Sequence, residues 1–303
     1  MSLVFPFLAA IATALAIYWP QLFLPLSGWT GWLLALVMFG MGATLELADF
    51  RRVLRRPAPV LAGLVLHYGI MPLAAWAIAR ALSMPPDLAA GMILTGSVAS
   101  GTASTVMVYV ARADVALSVT IGAVSTLAGI LLTPLLAWLY IARGIHLDVF
   151  GLLRSILVIV ALPVLLGLGA NRVLGDGWKK ILPVLSMLCV VLIIGVVVAS
   201  SRGMLARLGP SVLAGVMLHN AIGLLGGYWG GRALRFEPSV CRTLAFEVGM
   251  QNSGLAATLA RAYISPAAAL PGAVFSVWHN LSGSLLATVW NRWKTDRETL
   301  SDH

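Results

Sequence analysis

The chain carries eleven acidic residues, and ten of them lie near the ends of apolar stretches, in connecting segments or close to the C-terminus. Glu247 is the exception: it sits well inside an apolar run that reads FEVGMQNSGLAA. Burying an ionised carboxylate at membrane depth costs roughly 3 kcal/mol or more unless it is compensated. Glu247 is therefore protonated, paired with a bound cation, or hydrogen-bonded to its own interrupted helix. Around it stand Gly249, Gln251, Asn252, Ser253 and Gly254, where leucine and valine would be expected. A second run of the same character, GSVASGTASTV, covers Gly96 to Val106. Glycine inside a helix costs about 1 kcal/mol relative to alanine, and lipid offers no partner to a freed amide or carbonyl. Interrupted helices of this kind present N-terminal amides to an anion and C-terminal carbonyls to a cation. Three histidines, His67, His219 and His279, also fall inside apolar stretches; each is a packing residue or part of a polar site.

The elements that must hold these residues follow from composition. The chain has 303 residues, 60% hydrophobic and 10% charged. An ordinary soluble domain is about a quarter charged, so the composition excludes a soluble enzyme, a disordered chain and a disulfide scaffold. Ten apolar stretches are readable, near 3–20, 29–47, 58–83, 87–112, 115–142, 150–172, 178–200, 211–234, 238–263 and 266–292. Pro25, the Arg51–Arg56 cluster, Pro85-Pro86, Asp114, Asp148, Asp176, Pro210, Pro238 and Pro266 separate them. The expected fold is an all-α membrane protein of ten transmembrane helices.

The excess of 20 Lys+Arg over 11 Asp+Glu gains a location under this reading. Placing both termini on one side puts Arg51, Arg52, Arg55, Arg56, Arg112, Arg172, Lys179, Lys180, Arg232, Arg235, Arg242, Arg292, Lys294 and Arg297 there. Arg80, Arg143, Arg154, Arg202, Arg207 and Arg261 fall on the other. The bias assigns both termini to the cytoplasm and accounts for the basic charge without nucleic acid. The first apolar run lacks a preceding positive charge and reads as a span, not a cleaved signal. Cys189 and Cys241 lack ligand spacing and read as buried and inert. H-E-x-x-H and G-x-S-x-G patterns do not occur, which argues against an intramembrane enzyme.

Residues 66–82, LHYGIMPLAAWAIARAL, resemble residues 218–234, LHNAIGLLGGYWGGRAL, at an offset of 152. The same offset carries Pro86 onto Pro238 and the first Gly/Ser run onto the second. Each repeat then holds five spans, and an odd number inverts the second copy. The expected units are 1–143 with spans 1–5, and 144–294 with spans 6–10, followed by a cytoplasmic tail at 295–303. The small-residue pattern Gly226-Gly227…Gly230-Gly231 reads as a close-packing face, within one chain or between two.

Three stretches, FEVGMQNSGLA, GTASTVMVYVARADVALSV and SVWHNLSGSLLA, resemble signature segments of the bile acid:sodium symporter family, in its bacterial ten-span members. The likeness runs from about Glu46 to Trp290. It implies a core of spans 3–5 and 8–10, a panel of spans 1, 2, 6 and 7, and crossing broken helices four and nine. It also implies residence in the bacterial inner membrane and cation-coupled uptake of an organic anion, bile-acid-like or a small hydroxy-carboxylate such as pantoate. No cofactor is implied beyond Na+ as coupling ion, with H+ as the alternative. By the resemblance a first sodium site would use Ser104, Thr105, Ser118, Gly122 and Glu247. A second would use Glu247, Val248, Met250, Gln251 and the position of His67. The family carries Asn at the position of Thr105, Thr at Gly122 and Gln at His67. Gly122 supplies no side-chain oxygen, and imidazole is a poor ligand for a hard cation. His67 with Glu247 then carries a proton, or His67 donates to Glu247 and leaves one sodium site; an uncoupled uniporter is a further alternative. Thr102, Asn252, His279 and Asn280 match the substrate-facing positions. Oligomeric state is not readable.

Overall fold

The computed structural model describes residues 4–45, 51, 55, 57–141, 147–171, 173 and 175–301. Arg52, Arg56, Arg143, Arg172 and Glu46, used above in reading spans and charge, lie outside the described residues. The described chain is almost wholly helical: α1 (Val4–Tyr18), α2 (Thr30–Thr44), α3 (Pro57–Ala81), α4 (Pro86–Ser97), α5 (Ala103–Val110), α6 (Val115–Ile141), α7 (Val149–Ile156), α8 (Leu162–Ala170), α9 (Asp176–Ala233), α10 (Pro238–Gly249), α11 (Ser253–Tyr263) and α12 (Leu270–Ser301). Among the described residues, six segments are long and apolar enough to cross a bilayer: Leu24–Thr44, Pro57–Ala81, Val115–Ile141, Val149–Ala170, Ile181–Gly203 and Pro210–Ala233. Their length and outward leucines, valines and tryptophans make this a multi-pass, all-α membrane protein.

Two expected spans are interrupted. A 12-residue helix reaches only about 18 Å, too short for a hydrocarbon core of about 30 Å. Both α4 and α10 have this length. Each opens on a proline at its first helical position, where the missing N–H costs nothing. Each stops at its glycine- and serine-bearing run, and α5 and α11 resume beyond it.

The break expected at Pro210 takes another form. Backbone helix continues through Asp176–Ala233, with Pro183 and Pro210 inside it. In a straight helix residues 190 and 224 would stand about 51 Å apart. Yet a Cβ on Gly254 would lie 3.9 Å from Val190, and one on Gly249 would lie 2.8 Å from the Leu224 amide nitrogen. Residues 249 and 254 are at most about 18 Å apart along the chain. The helix therefore doubles back, and α9 is two limbs. Proline's fixed φ suits a helix, so its lost hydrogen bond bends the chain without ending the helical backbone. The connection around 157–161 shows a milder case: Pro163 lacks an N–H, and a π-turn at Leu157–Ala161 joins α7 to α8. At the other end α12 extends beyond the expected limit of span ten, to Ser301.

The second limb of α9 packs along α3 and α10 through its small residues. A Cβ on Gly227 would fall 2.3 Å from the Leu244 carbonyl oxygen, so only glycine permits this approach. Gly226 and Gly230 face Ile70 and Leu66, which makes the small-residue pattern a contact within the chain. Cys189 and Cys241 are free and buried.

Candidate functional site

The site grows from a backbone problem. Between α4 and α5, and between α10 and α11, the chain is extended. The two extended pieces meet as an antiparallel bridge between Ser100 and Gln251. The Gly101 amide donates to Met250 O at 3.0 Å, and the Asn252 amide donates to Ala99 O at 2.8 Å. Each break thus satisfies groups the other leaves free. Gly101 makes the approach possible, since a Cβ there would lie 2.5 Å from Gln251 O. Side chains from neighbouring helices satisfy more of the freed groups. Asn220 Nδ2 donates to Gly249 O at 2.9 Å, and Ser282 Oγ donates to Asn220 Oδ1 at 2.6 Å. The Ser100 amide donates to Ser125 Oγ at 3.1 Å, and Tyr68 OH donates to Ser125 O at 2.7 Å.

Glu247 lies against this bridge, fully buried. Ser104 Oγ and Ser118 Oγ donate to its Oε1 at 2.6 and 2.5 Å, and Ser100 Oγ donates to Oε2 at 2.7 Å. Because the Ser118 hydrogen points at the carboxylate, Thr105 Oγ1, 3.0 Å away, donates to Ser118 Oγ. Two helices, α5 and α6, and the extended piece between α4 and α5 thus supply one carboxylate with hydroxyls, and none of these donors comes from Glu247's own helix. The grouped atoms are all oxygens, the ligand type a hard cation takes. At Gly122 a Cβ would meet nothing nearer than Glu247 Oε2 at 3.9 Å, so the place of a side chain there is open.

His67 sits beside the carboxylate's backbone. Its Nδ1 is 2.9 Å from Glu247 O and its Nε2 is 2.9 Å from Val98 O. The ring spans both broken helices and contacts the Glu247 main chain instead of its carboxylate. Of the other residues assigned to a second cation set, Gln251 folds back, donating through Nε2 to Val248 O at 3.0 Å. Its Oε1 is buried without a partner. Met250 O is taken by the Gly101 amide.

The expected substrate positions do not form one exposed wall. Thr102 is exposed at the start of α5. Asn252 is nearly buried; its Oδ1 accepts the Leu255 amide as a helix cap, and its Nδ2 lies 3.8 Å from Met38 Sδ. His279 and Asn280 are buried. His279 lies edge-on to Phe275, and Asn280 Nδ2 donates to Ser276 O one turn back. Inside a helix bundle an amide without solvent turns to its own backbone.

Ser100, Ser125, Tyr68 and Asn220 were not among the expected site residues. Ser100 stands inside the first Gly/Ser run, and Asn220 follows the repeated histidine, so both carried a signal. Tyr68 follows His67 at the matching position of the first repeat and carried the same signal, whereas Ser125 lies in an ordinary apolar stretch and carried none.

The architecture and this oxygen cluster define a class: a polytopic helical protein with a buried polar site where two interrupted helices meet. Comparison with known proteins narrows it. The model of the Sodium Bile acid symporter family matches residues 32–208. The chain is 40% identical over 285 residues to an uncharacterized sodium-dependent transporter, YocS, of Bacillus subtilis, covering 93% of this chain and 89% of the relative. It is 37% identical over 297 residues to the probable chloroplastic sodium/metabolite cotransporter BASS1 of Arabidopsis thaliana, covering 96% and 74%. The rice BASS1 protein is also 37% identical over 297 residues, covering 96% and 73%. The chain belongs to the sodium bile acid symporter family, a family of sodium-coupled transporters and not of enzymes.

Proposed function

We propose that this protein is a secondary active transporter that takes up a small organic anion together with sodium by alternating access. One observation carries the reading: the buried Glu247 carboxylate gathers oxygens from Ser100, Ser104, Ser118 and Thr105 where two helix C-termini converge. Each C-terminal end contributes about half a negative charge. The cluster is short of positive charge and rich in hard ligands, which a sodium ion would correct.

In this reading the chain forms ten spans in two inverted repeats, 1–143 and 144–294. The matched 12-residue helices at Pro86 and Pro238 support the repeat. So do the left-handed helix ends at Ser83 and Arg235, which stand at the same offset of 152 (φ 47° and 61°). Spans 3–5 and 8–10 move against spans 1, 2, 6 and 7 within the lipid, with both termini in the cytoplasm. Gly122 leaves one ligand position to water. Thr102 and Asn252, at the starts of α5 and α11, meet the anion. His279 and Asn280 join them when the core shifts. The anion is bile-acid-like or a small hydroxy-carboxylate.

A second reading has the proton as coupling ion, favoured by His67. A neutral imidazole donates from one nitrogen, yet both ring nitrogens face carbonyl oxygens. Uptake into proteoliposomes under separately imposed sodium and proton gradients tells the two apart. Sodium-driven accumulation abolished by Glu247→Gln supports the first. Accumulation driven by a proton gradient in sodium-free buffer supports the second. Uptake that never exceeds equilibrium under either gradient overturns both.

A further inference from the structure

The two half-helices that follow the breaks are treated very differently. Beyond the second break, every residue from Gln251 to Ala260 is buried. This half-helix, α11, packs on α9 and α12, on α4, and also on α2 and α7. Beyond the first break, α5 packs chiefly on α6, α10 and α12. It leaves a face open: Thr102 is exposed, Val106 is 44% exposed and Tyr109 is 72% exposed. These residues follow one another at helical spacing, and the open stripe runs from the break to Arg112, also exposed.

The buried half-helix is held by polar bonds at its far end. Tyr263 OH donates to Gly151 O at 2.7 Å on α7 and lies against Ser155 Oγ. Its ring rests on Gly151, where a Cβ would fall 2.9 Å from Tyr263 Cε1. Arg261 Nη1 donates to Ser200 Oγ at 2.5 Å on the first limb of α9. Ser201 Oγ donates to Pro266 O at 2.7 Å, just after α11. These bonds join α11 and the turn after it to α7 and α9. Corresponding ties from α5 to α7 or α9 are not present among the described residues.

We propose that Tyr263 and Arg261 form a latch that closes one end of the translocation path, and that the α5 face is the open end. The proposal builds on the alternating-access reading: for the path to change sides the latch must release, exposing α11 while α5 becomes covered. The bonds suit this task. They are few, lie at one end of the helix, and accept on hydroxyl or main-chain oxygens that water can replace. A fully apolar seal of the same length would lack that exchange.

Thiol labelling in nanodiscs tests it without sodium or substrate, so its outcome is independent of the coupling reading. The parent chain serves as blank, since Cys189 and Cys241 are 3% and 0% exposed. Ala256→Cys, on α11, and Tyr109→Cys, on α5, report the two ends to a water-soluble maleimide. In the otherwise native chain, Tyr109→Cys is expected to label quickly and Ala256→Cys slowly. Adding Tyr263→Phe with Arg261→Gln should raise the Ala256→Cys rate about ten-fold or more, the scale set by losing two or three ordinary hydrogen bonds. Labelling of Tyr109→Cys should fall in the same chain. Ser155→Ala with Ser200→Ala removes the two hydroxyl partners from the opposite side and should act in the same direction but more weakly, since Gly151 O still accepts from Tyr263, which covers the case in which the first pair fails to fold. An unlabelled Tyr109→Cys in the native chain would mean that the α5 face meets lipid, and the proposal fails. Unchanged Ala256→Cys labelling in folded latch variants sinks it equally.

Discussion

At the scale of single residues, the question is how a carboxylate persists where lipid surrounds the fold. Glu247 answers with three hydroxyl donors at 2.5–2.7 Å, the length of charge-assisted bonds. Hydrogen bonds to a charged group contribute about 1.5–3 kcal/mol. Ser118→Ala, which leaves Oε1 with Ser104 alone and strips Thr105 of its acceptor, should weaken sodium half-saturation of uptake by about ten-fold or more. Ser100→Ala should act in the same direction, although position 100 entered the site through structure and not through motif. Gly122→Thr makes the opposite test. A Cβ there has ordinary clearance, and an added hydroxyl would stand beside Glu247 Oε2. Sodium half-saturation should shift to lower concentration in transport assays. An unchanged value would remove Gly122 from the cation site.

At the scale of elements, two breaks stabilise one another. The main-chain bonds between Ala99–Gly101 and Met250–Asn252 replace the partners that lipid withholds. Gly101 is the tightest point, and Gly101→Val should drive a side chain into Gln251 O. We expect loss of transport together with a fall in melting temperature of several degrees, measured on purified protein; overpacking of this kind costs about 1–3 kcal/mol. Asn220→Ala removes a cap from Gly249 O and the acceptor of Ser282. It should destabilise by about 1–3 kcal/mol through the unpaired carbonyl, and Asn220→Ser should recover part of the loss. These elements were largely legible in the sequence. The two Gly/Ser runs and their prolines announced the breaks, because glycine and proline act on the local backbone. The doubling back of α9 was legible only as a break at Pro210, because the helical hydrogen bonding that survives the bend is not encoded in the proline itself.

At the scale of the whole molecule, a cation bound only by the folded site stabilises the fold as its concentration rises. At a hundred times the dissociation constant the gain is about 2.7 kcal/mol. The melting temperature in nanodiscs should therefore rise with sodium but not with an equal concentration of choline. Glu247→Gln should erase the difference. A sodium effect of equal size in Glu247→Gln would place the ion elsewhere.

The sequence by itself determined the class of molecule, the number of apolar stretches, the two interrupted helices and the lone deep carboxylate. Each of these depends on local composition or on spacing along one segment: hydropathy sets burial in lipid, and glycine and proline set where a helix stops. The resemblance in three short motifs added Ser104, Thr105 and Ser118. Only the tertiary structure decided which oxygens face Glu247, since Ser100 and Ser118 reach it from chain positions 147 and 129 residues away. It also showed that His67 spans two main-chain carbonyls, that His279 and Asn280 are buried, and that one half-helix is sealed while its counterpart is open. Such facts follow from the packing of helices distant in sequence, and an interrupted stretch has no periodicity from which a facing partner can be read.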